Sequence, residues 1–339
     1  MQIGRARELA AAWVAGRSDP GLIGAFYTGS SVDLGPADEL AAESDLDLVL
    51  VVEGGAPDKL GKLTHDGVRL DVSSLSRAGL ADGDAVARTH WLAPSFRGGA
   101  IIADPTGELH RVEAHVSRIF ADPEVVASRC ASVAERIRGG LDSWSEGRSW
   151  PDRVMRWVFP ASLTTHLVLV AGLQNPTVRL RYRAARDLLA ERGRAEVYPT
   201  LLDHLGVRHL TPGEVAGQLR PVAEVFDAAA AVNQHHFPFA SDLTADARDI
   251  AVGGSERLIL AGDHREAVFW LVVTLVRAQL ILDHDGDPAE AAGWAKVTSE
   301  AIAALTGLRT EADLVRRTAE VRAFLPELHE VVGQTGLSS

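Results

Sequence analysis

Two aspartates one residue apart in an apolar run, Asp45-Leu-Asp47-Leu-Val-Leu-Val-Val, are the residues of this chain best suited to chemistry. On a β-strand alternate side chains share a face, so both carboxylates are expected to project together. Like charges a few Å apart raise each other's pKa unless a cation neutralises them. Mg²⁺ suits such a pair, because it takes hard oxygen ligands and completes its shell with water and substrate phosphates. Upstream, Tyr27-Thr28-Gly29-Ser30-Ser31 supplies a turn whose glycine lets backbone N–H groups approach an anion, with the Ser30 and Ser31 hydroxyls beside them. A third acid, Asp71, follows the Asp66-Gly67 turn signal in Val68-Arg-Leu-Asp-Val-Ser73. Laid beside the first strand, it would complete a two-metal site of the kind used in phosphoryl-type transfer.

The order Gly-Ser, spacer, Asp-x-Asp between apolar residues, then a third acid on a following strand resembles the nucleotidyltransferase superfamily that includes DNA polymerase beta. Within it, the chain looks like the small-molecule antibiotic adenylyltransferases. The resemblance rests on Gly29, Ser30, Asp45, Asp47 and Asp71 and covers roughly the first third of the chain. It implies that Asp45 and Asp47 hold two Mg²⁺ ions and the triphosphate of ATP or another NTP, and that Asp71 ligates the catalytic metal and helps deprotonate the acceptor. Gly29 and Ser30 would contact the β- and γ-phosphates. The implied reaction moves AMP, or another NMP, to a hydroxyl of a small molecule, with an aminoglycoside-like cation suited to an acidic site. Two alternatives use the same fold: adenylylation of a protein side chain, and a nucleotide-binding protein without turnover.

The elements that must position these residues are expected to be strands at 22–28, 46–52, 68–74 and 100–103. Helices are expected at 3–16, with Leu9, Trp13 and Val14 inward, and at 82–91, with a short helix or turn at 58–64. Together they predict an α/β nucleotidyltransferase domain over 1–107, a mixed sheet with flanking helices. From 108 to 339 the periodicity is helical, predicting an all-α helical-bundle domain that chooses the acceptor, with the active site in the cleft between the two. Its helices are punctuated by Asp122-Pro123, Trp150-Pro151, Asn175-Pro176, Thr211-Pro212 and Asp287-Pro288. Residues 212–236 read as one helix, and 237–257, with Gly253-Gly254, as a long loop.

Other residues are weighed against this frame. Arg179, Arg183 and Arg186 share a helical face and could reach a triphosphate, although pairing with Asp187 and Glu191 is the plainer expectation. The resemblance offers Glu266, at the start of a long apolar helix, as a general base from the second domain, whereas the helix dipole alone also favours a glutamate there. His235, His236 and His284 read as surface or packing residues, because no helical metal-ligand spacing surrounds them.

Composition narrows the function classes. The chain has 339 residues and a net charge of −12, which argues against wrapping nucleic acid. Cys130 is the sole cysteine, which excludes an intrachain disulfide or a multi-cysteine zinc site. Glu8 interrupts the N-terminal apolar run, so an amphipathic helix is expected there rather than a signal peptide. The stretch Ala267–Val276 is too short to span a bilayer and meets Arg277. A cytoplasmic protein with no membrane partner is therefore expected. Lys59, Lys62 and Lys296 are the only lysines, so arginines are expected to do any phosphate charge work.

Overall fold

The structure, a computed structural model, describes residues 1–19, 21–41, 44–55 and 59–334. It divides into two compact units. The first comprises Met1–Ser132 with Leu173–Thr177, and the second Val133–Gly172 with residues 178 onward.

The first unit is built on a five-stranded mixed sheet. Its strands are β1 (Leu22–Thr28), β2 (Leu46–Val52), β3 (Gly61–His65), β4 (Val68–Ser76) and β5 (Ile101–Ala103), in the order β3-β4-β2-β1-β5. Strands β2 and β4 run parallel, and every other neighbouring pair is antiparallel. The even-numbered residues Leu46, Leu48 and Leu50 of β2 and Val68, Leu70 and Val72 of β4 face helix α1 (Ile3–Ala15). That helix presents Ile3, Ala6, Ala10 and Val14 at helical spacing, while Leu9 and Trp13, expected inward, sit at the margin of the cluster. The opposite face carries Phe26, Val49 and Val51 and is covered by α2 (Gly83–Arg88), α3 (Glu108–Ile119) and the start of α4 (Pro123–Gly140). Leu109, Val116, Phe120 and Val125 from α3, its end and α4 join this cluster. The compact unit therefore extends past the expected boundary at 107.

Strand β3 departs from expectation. Of the short helix or turn expected at 58–64, residue 58 lies outside the described residues, and Gly61–His65 form an extended strand. The two-residue turn Asp66-Gly67, with φ of 46° and 79°, closes a β3–β4 hairpin. Such a turn needs a strand on both sides. Chain direction then lays β4 beside β2 in parallel.

The second unit is helical. It contains the remainder of α4, then α5 (Trp150–Ala171), α6 (Arg181–Glu191), α7 (Tyr198–Leu205), α8 (Pro212–Gly217), α9 (Leu219–Val232), α10 (Gly254–Leu260), α11 (His264–Asp285), α12 (Pro288–Thr306) and α13 (Glu311–Gln334). The helix expected at 212–236 is broken at Gln218 into α8 and α9. Gly254-Ser255-Glu256, expected in a loop, opens α10 directly after a π-helical turn at Asp249–Gly253. Helix α11 is the hub, packing on α5, α9, α10 and α12. Helices α5 and α11 are long and apolar enough to cross a membrane by length and composition, yet 72% of the apolar window of each is buried among its neighbours.

Candidate active site

The parallel register of β2 and β4 makes Asp47 and Asp71 direct cross-strand partners. Residues directly opposite share a face, so both carboxylates emerge together on one face of the sheet. Asp45, one residue before β2, follows the same alternation and joins them through Lys62. The three acids expected from the sequence are thus brought together.

Their countercharges are two of the three lysines in the chain. Lys62 is the β3 partner of Asp71. Its Nζ is ion-paired with Asp45 Oδ2 and lies 3.2 Å from Asp71 Oδ2. Lys59 Nζ straddles the Asp71 carboxylate, 2.7 Å from Oδ1 and 2.9 Å from Oδ2. The positive groups nearest the acids are thus lysines rather than arginines. The available signal was two rare lysines within four residues, just ahead of the third acid.

This arrangement splits the behaviour of the acids. Burial, reinforced by the negative charges of Asp45 and Asp71, pushes the Asp47 carboxyl well above the ordinary carboxylate range. Burial also raises Asp71, but the Lys62 and Lys59 ammonium groups outweigh it and hold that carboxyl below its ordinary value. Among the described residues, three carboxylates face two ammonium groups, and the acid without a described lysine partner, Asp47, is the one whose ionised form is disfavoured. The donor set, all carboxylate oxygen, fits a hard divalent cation such as Mg²⁺.

The glycine turn is built against the same acid. Strand β1 ends at Thr28, the cross-strand partner of Asp47, and the chain enters a 3-10 turn over Gly29–Asp33. Gly29 has φ +68°, and a Cβ on it would fall 2.0 Å from Asp47 Oδ2. Only glycine fits between the turn and the carboxylate. Asn175 Nδ2 donates to the Gly29 carbonyl, and Arg97 Nη1 donates to Leu173 O at 3.0 Å. The segment Leu173–Thr177 thus returns to the first unit and pins the turn from behind. In the sequence Asn175 stands out only as the residue before Pro176, and a contact spanning 146 residues leaves no local trace.

Ser30 is exposed beside the turn, as a ligand-contacting residue must be. Ser31 is not available in this way. Its side chain is buried, its hydroxyl donates to Thr28 O at 3.3 Å, and its carbonyl accepts from Arg7 Nη2 at 2.7 Å. The tight 3-10 turn rotates Ser31 inward, so its expected role in holding a cofactor is withdrawn.

Glu266 and Arg183 belong to the helical unit. Glu266, in the first turn of α11, is 2% exposed. Its Oε1 accepts from the Tyr198 hydroxyl and from Arg186 Nη1, both at 2.8 Å. The same Arg186 nitrogen donates to Asp263 Oδ1 at 2.7 Å, and Arg183 Nε lies 3.3 Å from Asp263 Oδ2. Burial, then the Glu266 charge, drives the Tyr198 phenol far above its ordinary range. These contacts make Glu266 a buried link between α6, α7 and α11. Arg183 is half exposed and shares its acid with Arg186. The expected pairing with Asp187 is present, at 3.8 Å from Arg183 and 3.0 Å from Arg186, whereas Glu191 lies beside Arg192.

A cavity of about 980 Å³ opens at the other end of the sheet, beyond Glu53 and Ser76. Several of its charged residues pair with one another, Arg77 with Glu108 and Glu53, and His115 with Asp84. The carboxylate triad, with one buried acid strongly perturbed by its neighbours, is the stronger candidate for chemistry. Comparison with family models, with curated proteins and with solved structures finds no match to this chain.

Proposed function

We propose that the first unit is a Mg²⁺-dependent nucleotidyltransferase domain that moves AMP, or another NMP, from an NTP to the hydroxyl of a small molecule and releases pyrophosphate. The observation that carries this reading is the cross-strand pairing of Asp47 with Asp71, with Gly29 packed on the Asp47 carboxylate. Asp45, Asp47 and Asp71 would hold Mg²⁺, which supplies neutralisation of triphosphate charge and activation of the attacking oxygen. Gly29 and Ser30 present backbone and hydroxyl donors beside the acids for the distal phosphates. With a cation on the acids, Lys59 and Lys62 would be released from them and available to pair with phosphate oxygens. A cationic, aminoglycoside-like acceptor suits an acidic site. The proposed use of ATP with Mg²⁺ as cofactor would suit a cytoplasmic setting.

The test is pyrophosphate release across the four NTPs with a panel of hydroxylated cationic molecules, with labelled ATP added to cell lysate to detect a protein acceptor. Asp47→Asn is expected to abolish release while leaving the fold intact. An active Asp47→Asn enzyme would contradict the assignment.

The ion pairs of Lys59 and Lys62 favour a second reading, a nucleotide-binding protein without turnover, because lysines that stay on the acids neutralise them structurally. Tight Mg²⁺-ATP binding with no pyrophosphate from any acceptor would select that reading.

A further inference from the structure

In the helical unit, side chains from two stretches distant in sequence converge at the C-terminal end of α11. His284 and Asp285 end that helix, and His236 lies in the connection after α9. The Nδ1 atoms of His236 and His284 each stand 2.7 Å from the same oxygen, Asp285 Oδ1. One ligand atom from each residue lies within 4.8 Å of the other two. The Asp285 side chain is fully enclosed, and its other oxygen accepts the Gln234 backbone N–H at 2.8 Å. Oδ1 is thereby aimed between two imidazoles.

The connection is built to hold this arrangement. Asn233 accepts the His235 backbone N–H at 2.9 Å and donates to the carbonyls of Ala240 and Leu243, while His235 takes the left-handed backbone with φ 62° that delivers His236. The Phe237 ring stands edge-on to His284 at 5.4 Å, walling one side.

We propose that His236, His284 and Asp285 bind a divalent transition-metal cation, Zn²⁺ fitting best, which ties the connection after α9 to the end of α11. Two imidazole nitrogens and one carboxylate oxygen are the donors that Zn²⁺ takes and that Mg²⁺ and Ca²⁺ do not favour. A tetrahedral shell with bonds of about 2.0–2.1 Å separates its ligand atoms by roughly 3.4 Å. The 2.7 Å spacings therefore open by well under 1 Å, a side-chain adjustment. Both histidines are about half exposed, which leaves the remaining coordination position to water. In the metal-free protein the same atoms form a hydrogen-bonded clasp, with each Nδ1–H donating to Asp285. This site is independent of the nucleotidyl-transfer reading.

The experiment uses the full chain, stripped with a chelator and titrated with Zn²⁺ by calorimetry and with Co²⁺ by visible absorption, in excess Mg²⁺ to fill the carboxylate triad. One equivalent is expected to bind, Co²⁺ giving the intense visible bands of a four- or five-coordinate imidazole site that Zn²⁺ displaces. His236→Gln and His284→Ala should each weaken binding by at least about tenfold, whereas Asp47→Asn should leave it unchanged. Asp285→Asn keeps the hydrogen-bonding shape and serves if a histidine variant misfolds. Its metal affinity should fall with its circular dichroism unaltered. Absence of saturable binding, unchanged affinity in the folded His and Asp285 variants, or loss of the Co²⁺ bands in Asp47→Asn would overturn the proposal.

Discussion

Gly29 lies against Asp47 so closely that a single added carbon would fall 2.0 Å from the carboxylate oxygen Oδ2. The turn offered to phosphate and the acid offered to metal are therefore one packed unit. Gly29→Ala must also hold a left-handed backbone, which costs about 1–2 kcal/mol before any overlap is counted. It is expected to lower stability in urea unfolding by at least that amount. Displacement of Asp47 should abolish Mg²⁺-ATP binding in calorimetry, and undiminished affinity in a folded variant would separate turn from site.

The raised carboxyl of Asp47 makes metal-free stability depend on pH in a defined direction. A folded-state pKa above the unfolded value, ordinarily near 3.8, gives stability that is present in acid and lost as pH rises through the folded value. Asp71 is depressed, so its contribution is present above about 3.8 and lost only as pH falls below it. Between these limits, acidifying from neutral pH should stabilise the metal-free protein. Asp47→Asn should melt a few degrees higher than the parent at neutral pH without metal, the gap closing as pH falls. Mg²⁺ should raise the melting temperature of the parent and not of the variant.

Lys62 bridges Asp45 and Asp71 and competes with any cation for the same oxygens. Lys62→Gln is expected to tighten Mg²⁺ binding in the absence of nucleotide by about five- to tenfold, since it removes a partly buried positive charge in contact with two ligands. The same change should weaken ATP binding in saturating Mg²⁺. Calorimetric titrations in both orders distinguish this from a purely structural lysine, whose loss would shift neither.

Glu266 anchors the helical unit through Tyr198 and Arg186. Glu266→Ala leaves the Tyr198 phenol without its acceptor while Arg186 keeps Asp263 and Asp187, and is expected to cost about 1–3 kcal/mol, against about 1 kcal/mol for Tyr198→Phe. Pyrophosphate release per folded molecule should be unchanged. A stable Glu266→Ala protein whose turnover collapses would return Glu266 to the chemistry.

Local pattern made much of the first unit legible. Leu22–Thr28 and Leu46–Val52 are strands because their apolar runs end at turn residues, and alternation alone placed Asp45 and Asp47 on one face. The Asp66-Gly67 turn was equally plain. Strand β3 was missed because Gly61-Lys-Leu-Thr-His has a single large apolar residue and too little alternation to announce itself. In the helical unit, spacing marks the face of Arg179, Arg183 and Arg186 but carries no sign of what Arg181, between them, meets. Its guanidinium is buried, bonded to Ser162 Oγ at 2.6 Å and stacked over Phe269 at 4.1 Å, and burial lowers it to about 9. Periodicity marks which residues share a face, not which neighbour that face meets.

What the sequence determined by itself was the inventory and its short-range geometry: a glycine turn, two carboxylates on one strand and a third beyond a hairpin. Tertiary structure decided that β4 lies parallel beside β2 with Asp71 opposite Asp47, that Lys59 and Lys62 sit on those acids, and that Asn175 returns to hold Gly29. It also gathered His236 with His284 and Asp285. Side-chain alternation is set by the backbone of a few consecutive residues, whereas register and convergence are set by which distant surfaces bury each other.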